Sequence, residues 1–192
     1  MKTVEHFIEK FVPENYNIFL DINRQAKTFS GNVAISGEAL DSVISFHQKD
    51  LTVASVLLDN QNLEFTIDND NEAVHVELPE TGIMTLVVEF SGEITDNMTG
   101  IYPSYYTVDG VKKEVISTQF ESHFAREAFP CIDEPEAKAT FDLSIKFDQT
   151  EGEIVLSNMP EVDAERRKET GLWTFDTTPR MSSYLLAFAI GD

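Results

Sequence analysis

The sequence contains almost no cysteine. Cys131 is the only cysteine among 192 residues, which excludes an internal disulfide framework and any zinc cluster built from several thiolates. A free cysteine between Pro130 and Ile132 is more often a small buried hydrophobe than a nucleophile. We therefore expect Cys131 to lie in the core without a chemical role.

Basic residues are also scarce. The chain has 14 Lys and Arg against 34 Asp and Glu, a formal net charge of −20, and its densest basic run is only Arg166, Arg167 and Lys168. Such a surface repels polyanions at long range. We therefore expect neither nucleic acid nor an anionic membrane as a partner.

Long apolar runs are missing. No apolar stretch has the length needed to cross a bilayer, and Glu5, His6 and Glu9 occur where a signal peptide needs an unbroken apolar core. We expect a cytoplasmic protein. With 42% hydrophobic and 10% aromatic residues, the chain can still bury a core, and its length favours a single domain over residues 1–192.

Alternation of apolar and polar residues is the dominant pattern. It is clearest at 63–68, 74–78, 84–90 and 141–148, and it predicts strands with one dry and one wet face, as in antiparallel sheets. Turn signals occur at 69–71, 79–82, 109–110 and 150–152. Only the short segments 124–129 and 162–170 have helical character. The sequence therefore predicts an all-β fold of the sandwich type.

The last segment is apolar on every position. Residues 183–190 read SYLLAFAI, which predicts a strand buried on both faces. The sequence stops two residues later, at Gly191 and Asp192, without a polar tail. Natural termini are usually exposed and polar, so we expect a domain boundary here.

The four histidines are the most obvious candidate metal ligands. His6, His47, His75 and His123 are far apart in the sequence, and none belongs to an H-E-x-x-H motif. The first three are expected to be solvated. Because a G-x-S-x-G elbow and a glycine-rich phosphate loop are also missing from the sequence, we expect no metal site and no catalytic residue in this chain.

The least regular segment is 117–141, STQFESHFAREAFPCIDEPEAKATF. It carries many charged and amide side chains between two predicted strands. The interleaved Phe120, Phe124, Phe129 and Ile132 favour an ordered loop, and long ordered polar loops on a β scaffold are usually functional. An acidic loop of this kind favours a cationic ligand.

This loop resembles a signature of the M1 (gluzincin) family of zinc-dependent aminopeptidases, which reads like TQFEP-x-x-AR-x-AFPC-F-DEP-x-x-KA-x-F. More than half of the positions match. The likeness extends over nearly the whole chain, through VPENYNIFLDI, TFSGNVAI, FSGEITDNMTGIYPSYY, LSNMP and MSSYLLAFAIGD. It implies an antiparallel, saddle-shaped β-sandwich of the kind that forms the amino-terminal domain of these aminopeptidase N-like enzymes.

The resemblance also implies roles for individual residues. Gln119 and Glu121 match family positions that face the catalytic cleft, where the glutamate helps bind the α-amino group of a peptide and the glutamine lines the first substrate pocket. Arg126, Asp133 and Glu134 are expected to form an ion-paired clasp that holds the loop. The family motifs G-x-M-E-N and H-E-x-x-H are missing, so the resemblance implies that zinc and the catalytic domain lie beyond residue 192 and that the chain alone is inactive.

Other interpretations of the loop remain open. Glu121 could pair with His123 or Arg126 inside the loop, and His123 stands close to where many family members have proline or a small residue. At 102–104 the sequence reads YPS, where the family commonly has an aromatic residue followed by Arg and Ser.

Two other functions also fit an all-β domain. The first is a catalytically dead relative that serves as a protein-interaction scaffold, although a scaffold has no need of an amine-binding carboxylate. The second is a carbohydrate-binding sandwich, which would require exposed aromatic platforms. Trp173 and Phe175 alternate on what the sequence indicates is a core face, which disfavours the second.

Overall fold

The computed structural model describes residues 5–192. In this range it contains fourteen strands, one α-helix, α1 (Ala164–Thr170), and 3-10 helices at Phe7–Glu9, Ala125–Glu127 and Ser183–Leu185. The strands are β1 (Phe11–Asn23), β2 (Thr28–Ala39), β3 (Val43–His47), β4 (Thr52–Leu58), β5 (Gln61–Asn62), β6 (Phe65–Asp68), β7 (Ala73–Glu77), β8 (Gly82–Glu93), β9 (Gly100–Val108), β10 (Val111–Gln119), β11 (Thr140–Phe147), β12 (Ile154–Ser157), β13 (Trp173–Thr174) and β14 (Phe188–Gly191).

The strands form three sheets. The largest has the order β13-β11-β1-β2-β8-β4-β5, the second β12-β14-β10-β9 and the third β3-β7-β6. Neighbouring strands are antiparallel except β1 and β11, which run parallel from Asn15 opposite Thr140 to Ile22 opposite Phe147. The all-β fold predicted from alternation is confirmed, with one parallel pair inside it.

The alternating residues line the core as predicted at 141–148. Phe141, Leu143, Ile145 and Phe147 of β11 are all buried, because successive side chains of a strand point to opposite faces. At 63–68 the burial is less complete, and Ile67 is 40% exposed. The large sheet and the two smaller sheets share one apolar core.

Three buried residues bear on the alternatives raised by the sequence. Cys131 is 0% exposed, and burial raises the pKa of its thiol well above the usual value, so it is an inert core residue as predicted. Trp173 and Phe175 are only 4% and 5% exposed. They therefore provide no aromatic platform for a sugar.

The single α-helix lies within the segment 162–170 that has helical character in the sequence. Asp163 caps it by accepting a hydrogen bond from the backbone N–H of Arg166, and Gly171 ends it with a φ of 72°. Over the part of the chain that the structure describes, no helix is both long enough and apolar enough to cross a membrane.

The prediction for the last apolar segment was wrong in part. Residues Ser183–Leu185 form a 3-10 turn, and only Phe188–Gly191 is a strand. Leu185 is 49% exposed, whereas Leu186 is 2% exposed. An apolar run cannot by itself distinguish a buried strand from a turn, and here the backbone N–H of Leu186 bonds to the carbonyl of Ser183 at 3.1 Å.

Candidate functional site

Gln119 and Glu121 flank a buried anchor at the end of β10. Gln119 is the last residue of the strand, opposite Gly100 of β9, and both Gln119 and Glu121 are exposed. Phe120 between them is 2% exposed and packs edge-to-face against Phe129, with ring centroids 6.1 Å apart. The buried ring therefore fixes the point from which the two polar side chains project.

The carboxylate of Glu121 has no protein partner among residues 5–192. Its backbone carbonyl accepts a hydrogen bond from Nε2 of Gln119 at 3.5 Å. His123 is engaged elsewhere, with Nδ1 2.8 Å from Oγ of Ser122, and Arg126 contacts other carboxylates. Neither partner considered for Glu121 from the sequence contacts its side chain.

Arg126 fastens the loop to a buried carboxylate. Its Nε and its backbone N–H donate to Oδ2 of Asp133 at 3.1 and 3.3 Å, and Nη2 donates to the carbonyl of Asp133 at 3.3 Å. Nη1 donates to Oε2 of Glu72 at 3.0 Å. The other oxygen of Asp133 accepts a hydrogen bond from Oγ of Ser183 at 2.7 Å. The clasp expected of Arg126 and Asp133 is confirmed.

Glu134 was expected in the same clasp and does not belong to it. Its Oε1 accepts the backbone N–H of Phe7 at 2.7 Å, and its Oε2 accepts that of Ile8 at 3.3 Å. The carboxylate therefore caps the 3-10 helix near the amino terminus, because the first N–H groups of such a turn have no internal partner. A contact over more than a hundred residues leaves no local signal in the sequence.

The histidines do not all behave as predicted. His6 is exposed as expected, whereas His75 is half-buried, with Nδ1 2.7 Å from Oγ of Ser45. The prediction for His47 was wrong: it is only 8% exposed, because the loop returns to pair its backbone with that of residue 131. The ring of Phe7 stacks on it, with centroids 4.3 Å apart.

Burial changes the chemistry of His47. It lowers the pKa of the imidazole to about 3, with the nearby charge of Arg126 contributing. The neutral ring uses Nδ1 to accept the backbone N–H of Asp133 at 3.1 Å. His47 is therefore part of the support of the loop and not a solvated surface residue.

Three of the four histidines and several carboxylates line one pocket of about 620 Å³. The ionisable groups on its wall include His6, His47, His75, Asp68, Glu134 and Glu136. Potential ligand atoms of His6, Glu134 and Glu136 lie within 4.8 Å of one another. This set does not fit the zinc implied by the family resemblance, because it offers one imidazole and because both oxygens of Glu134 already accept backbone N–H groups.

Gln119 lies on the exposed face of the four-stranded sheet. Two rows of side chains cross this face, each with one residue from every strand. From β9 to β12 they are Tyr102, Ser117, Ala189 and Leu156, and Ser104, Val115, Gly191 and Ile154.

This face is unusual for the molecule. Leu156 is 61% and Ile154 46% exposed. Neither row contains a charged residue, although 25% of the chain is charged.

Comparison with known proteins identifies the family. The Peptidase M1 N-terminal domain model matches residues 12–185. Aminopeptidase N of Lactococcus lactis subsp. lactis is 72% identical over 190 residues, covering 98% of this chain and 22% of that protein. Puromycin-sensitive aminopeptidase of Caenorhabditis elegans is 37% identical, covering 94% of this chain and 20% of that protein.

A leucyl aminopeptidase of Saccharolobus solfataricus is 36% identical, covering 92% of this chain and 22% of that protein. The chain thus spans 20–22% of the length of these relatives. The signature in the loop and the matched model agree: the chain belongs to the M1 peptidase family and corresponds to its N-terminal domain.

Proposed function

We propose that the chain is the amino-terminal domain of a zinc metallo-aminopeptidase, which removes amino-terminal residues from peptides, and that it forms one wall of the substrate cleft. In this proposal Glu121 binds the α-amino group of the peptide and Gln119 lines the first substrate pocket. The observation that carries it is the exposed carboxylate of Glu121, which has no partner among the described residues and stands beside a buried anchor. Relatives named as aminopeptidases support the reaction class.

The chemistry of an exopeptidase requires such a group. An α-ammonium that leaves water loses its hydration, and acceptors within hydrogen-bond distance must replace it. Since only the first residue of a peptide carries this ammonium, a carboxylate at a fixed position selects the end of the chain. A neutral amide such as that of Gln119 can orient the substrate without adding charge.

The patch formed by the two uncharged rows of the four-stranded sheet supports the proposed position of the domain. It presents Ile154 and Leu156 to solvent on the same face as Gln119, and burial of a large aliphatic side chain stabilises by roughly 1.5–3 kcal/mol. We propose that the remaining polypeptide of the full-length protein covers this face. The cleft would then lie where the covered face ends, beside Gln119.

The zinc of the family would be held by the remaining polypeptide, since the one candidate donor set among residues 5–192 does not fit it. We propose that the catalytic residues also lie in the remaining polypeptide. The chain by itself is therefore expected to be inactive. The acidic surface fits peptide substrates better than nucleic acid or an anionic membrane. We also propose that the enzyme acts in the cytoplasm.

The proposal is tested by Glu121→Gln in the full-length protein. The change keeps the shape of the side chain and removes its charge, so KM should rise more than kcat falls. Loss of one member of a desolvated charged pair costs about 2–5 kcal/mol, which is more than tenfold in kcat/KM.

Glu80→Gln, at an exposed position in the turn before β8, is the matched control. A purely structural role would lower the melting temperature and leave the kinetics of the folded enzyme unchanged. That result would contradict the proposed role of Glu121, whereas a folded full-length protein without any aminopeptidase activity would favour the scaffold alternative.

A further inference from the structure

The loop 117–141, which carries Gln119 and Glu121, is held five residues after Glu121 by Arg126. The guanidinium and the backbone N–H of this residue together make four hydrogen bonds, to Asp133 and Glu72. The side chain of Asp133 is 1% exposed and that of Arg126 is 12% exposed. A charge-assisted hydrogen bond in such a buried environment is stronger and more directional than a surface ion pair.

The partners of Arg126 belong to different parts of the molecule. Glu72 lies in the turn between β6 and β7, and the backbone N–H of Asp133 donates to Nδ1 of His47 at the end of β3. The carboxylate of Asp133 also accepts from Ser183, in the 3-10 turn that precedes β14. Arg126 therefore ties the loop to the three-stranded sheet through Glu72, and only through Asp133 to the segment that enters the four-stranded sheet.

A second set of contacts joins the same region to the start of the loop. Nζ of Lys49 lies 3.0 Å from Oε1 of Glu127, and the backbone N–H of Lys49 donates to the carbonyl of Arg126 at 2.9 Å. Glu127 packs under Gly100, where a Cβ would come within 2.9 Å of the Cβ of Glu127. Gly100 is the strand partner of Gln119, so a shift at 126–127 would be passed to the residue beside the site.

We infer that Arg126 is a positioning residue for substrate binding, and that it acts through Glu121. This inference rests on the proposed function. The planar guanidinium reaches a carboxylate, a carbonyl and a second carboxylate at once, which the single ammonium of lysine cannot do. Arg126→Lys keeps the positive charge but loses the forked guanidinium. The loop is then no longer held in one position, and the carboxylate of Glu121 no longer lies at one distance from the ammonium of the substrate.

The chain contains a matched clamp away from the loop. The side chain of Arg24 is 11% exposed, and its guanidinium donates to Asp148 and Glu153. These partners belong to the region between β11 and β12. Arg24→Lys therefore removes a similar fork from an arginine of similar exposure without touching the loop, although its partner Asp148 is 47% exposed where Asp133 is 1% exposed.

The first experiment compares Arg126→Lys and Arg24→Lys in the full-length protein. Both should lower the melting temperature. Arg126→Lys should raise KM for a peptide substrate by about tenfold, since a small displacement of a binding group can cost up to a hundredfold, with a smaller change in kcat. Arg24→Lys should change KM by less than about twofold. Equal effects of the two variants on KM would contradict the inference.

The second experiment adds Glu121→Gln. If Arg126 acts through Glu121, then Arg126→Lys should raise KM much less in the Glu121→Gln background than in the wild type. An equal rise in both backgrounds would overturn the inference while leaving the proposed function intact. No effect of Glu121→Gln alone on KM would instead reject the proposed function.

A milder variant guards against misfolding of Arg126→Lys. Glu72→Ala leaves Arg126 and Asp133 in place and removes one of the partners, at a residue in a turn. It should raise KM in the same direction by a smaller factor. An unchanged KM in a folded Glu72→Ala enzyme would show that the tie to the three-stranded sheet does not position the site.

Discussion

At the residue scale, the environment of Glu121 depends on which carboxylates the cations near the loop contact. Arg126 is bound by Asp133 and Glu72, and Lys49 is bound by Glu127 at 3.0 Å. Because these groups are already paired, the carboxylate of Glu121 has no cationic partner among residues 5–192, as our proposal that it binds the substrate ammonium requires. Its negative charge is an exception among the carboxylates of this region, which mostly serve the fold.

His47 provides a prediction for the dependence of stability on pH. Its pKa is lowered by burial to about 3 in the folded chain, against about 6.5 in the unfolded chain. The unfolded state therefore binds more protons between these values, and stability should fall as pH decreases below about 6.5, by up to about 1.4 kcal/mol per pH unit.

Denaturant titration between pH 7 and 5 measures this effect, because few carboxylates titrate there. His47→Gln should reduce the slope of unfolding free energy against pH, even if it lowers stability overall. His6→Gln, on an exposed histidine, is the control. Equal slopes for the wild type and His47→Gln would show that the buried histidine does not cause the acid sensitivity.

The sequence indicated residue roles well only where a motif carried them. The expected pairing of Arg126 with Asp133 in the loop is confirmed, whereas the roles of Gln119 and Glu121 stay predictions. The sequence did not reveal that Glu134 binds the amino-terminal turn or that His47 is buried. Both depend on contacts between segments distant in the chain, for which local polarity is a poor guide.

At the element scale, periodicity predicted strands reliably where one face is dry and the other is wet. β11 follows the predicted pattern of burial throughout. The final apolar segment does not, because uniform apolarity leaves period and type undetermined. Its 3-10 turn is fixed by Ser183, which is 1% exposed and bonded to Asp133.

Two adjacent leucines test whether the chain forms a 3-10 turn before β14. Leu186 is 2% exposed and Leu185 is 49% exposed. Leu186→Ala should therefore cost about 2–5 kcal/mol in the 192-residue chain, whereas Leu185→Ala should stay within about 0.5 kcal/mol. Denaturant unfolding measures both. A similar large loss for the two variants would instead support a strand buried on both faces.

At the scale of the whole molecule, the sequence could indicate the all-β class but not how the sheets meet. The parallel pair of β1 and β11 joins residues more than a hundred positions apart, and no local pattern encodes that pairing. The same holds for the pocket that gathers His6, His47 and His75. The patch formed by the two uncharged rows of the four-stranded sheet also became visible only when strand register was known.

That face leads to a prediction about the full-length protein. Leu156 is 61% exposed in this chain, so Leu156→Lys should change the stability of the chain alone by less than about 0.5 kcal/mol. In the full-length protein the same change should be strongly destabilising, because it would bury an unpaired charge at the covered face. Ile83→Lys, at a residue that is 89% exposed outside this sheet, is the control.

Thermal unfolding of both lengths of protein makes this comparison. An equal and small effect of Leu156→Lys in the chain and in the full-length protein would show that the face stays open to solvent.

The measurement closest to the central claim compares two ligands of the full-length protein that differ only in the α-amino group. One is a peptide-like inhibitor with a free amine, and the other is its des-amino analogue. If Glu121 binds the ammonium, the wild type should prefer the amine by more than about tenfold, and Glu121→Gln should lose most of this preference by weakening only the amine-bearing ligand. The same preference in the wild type and in Glu121→Gln would contradict the account.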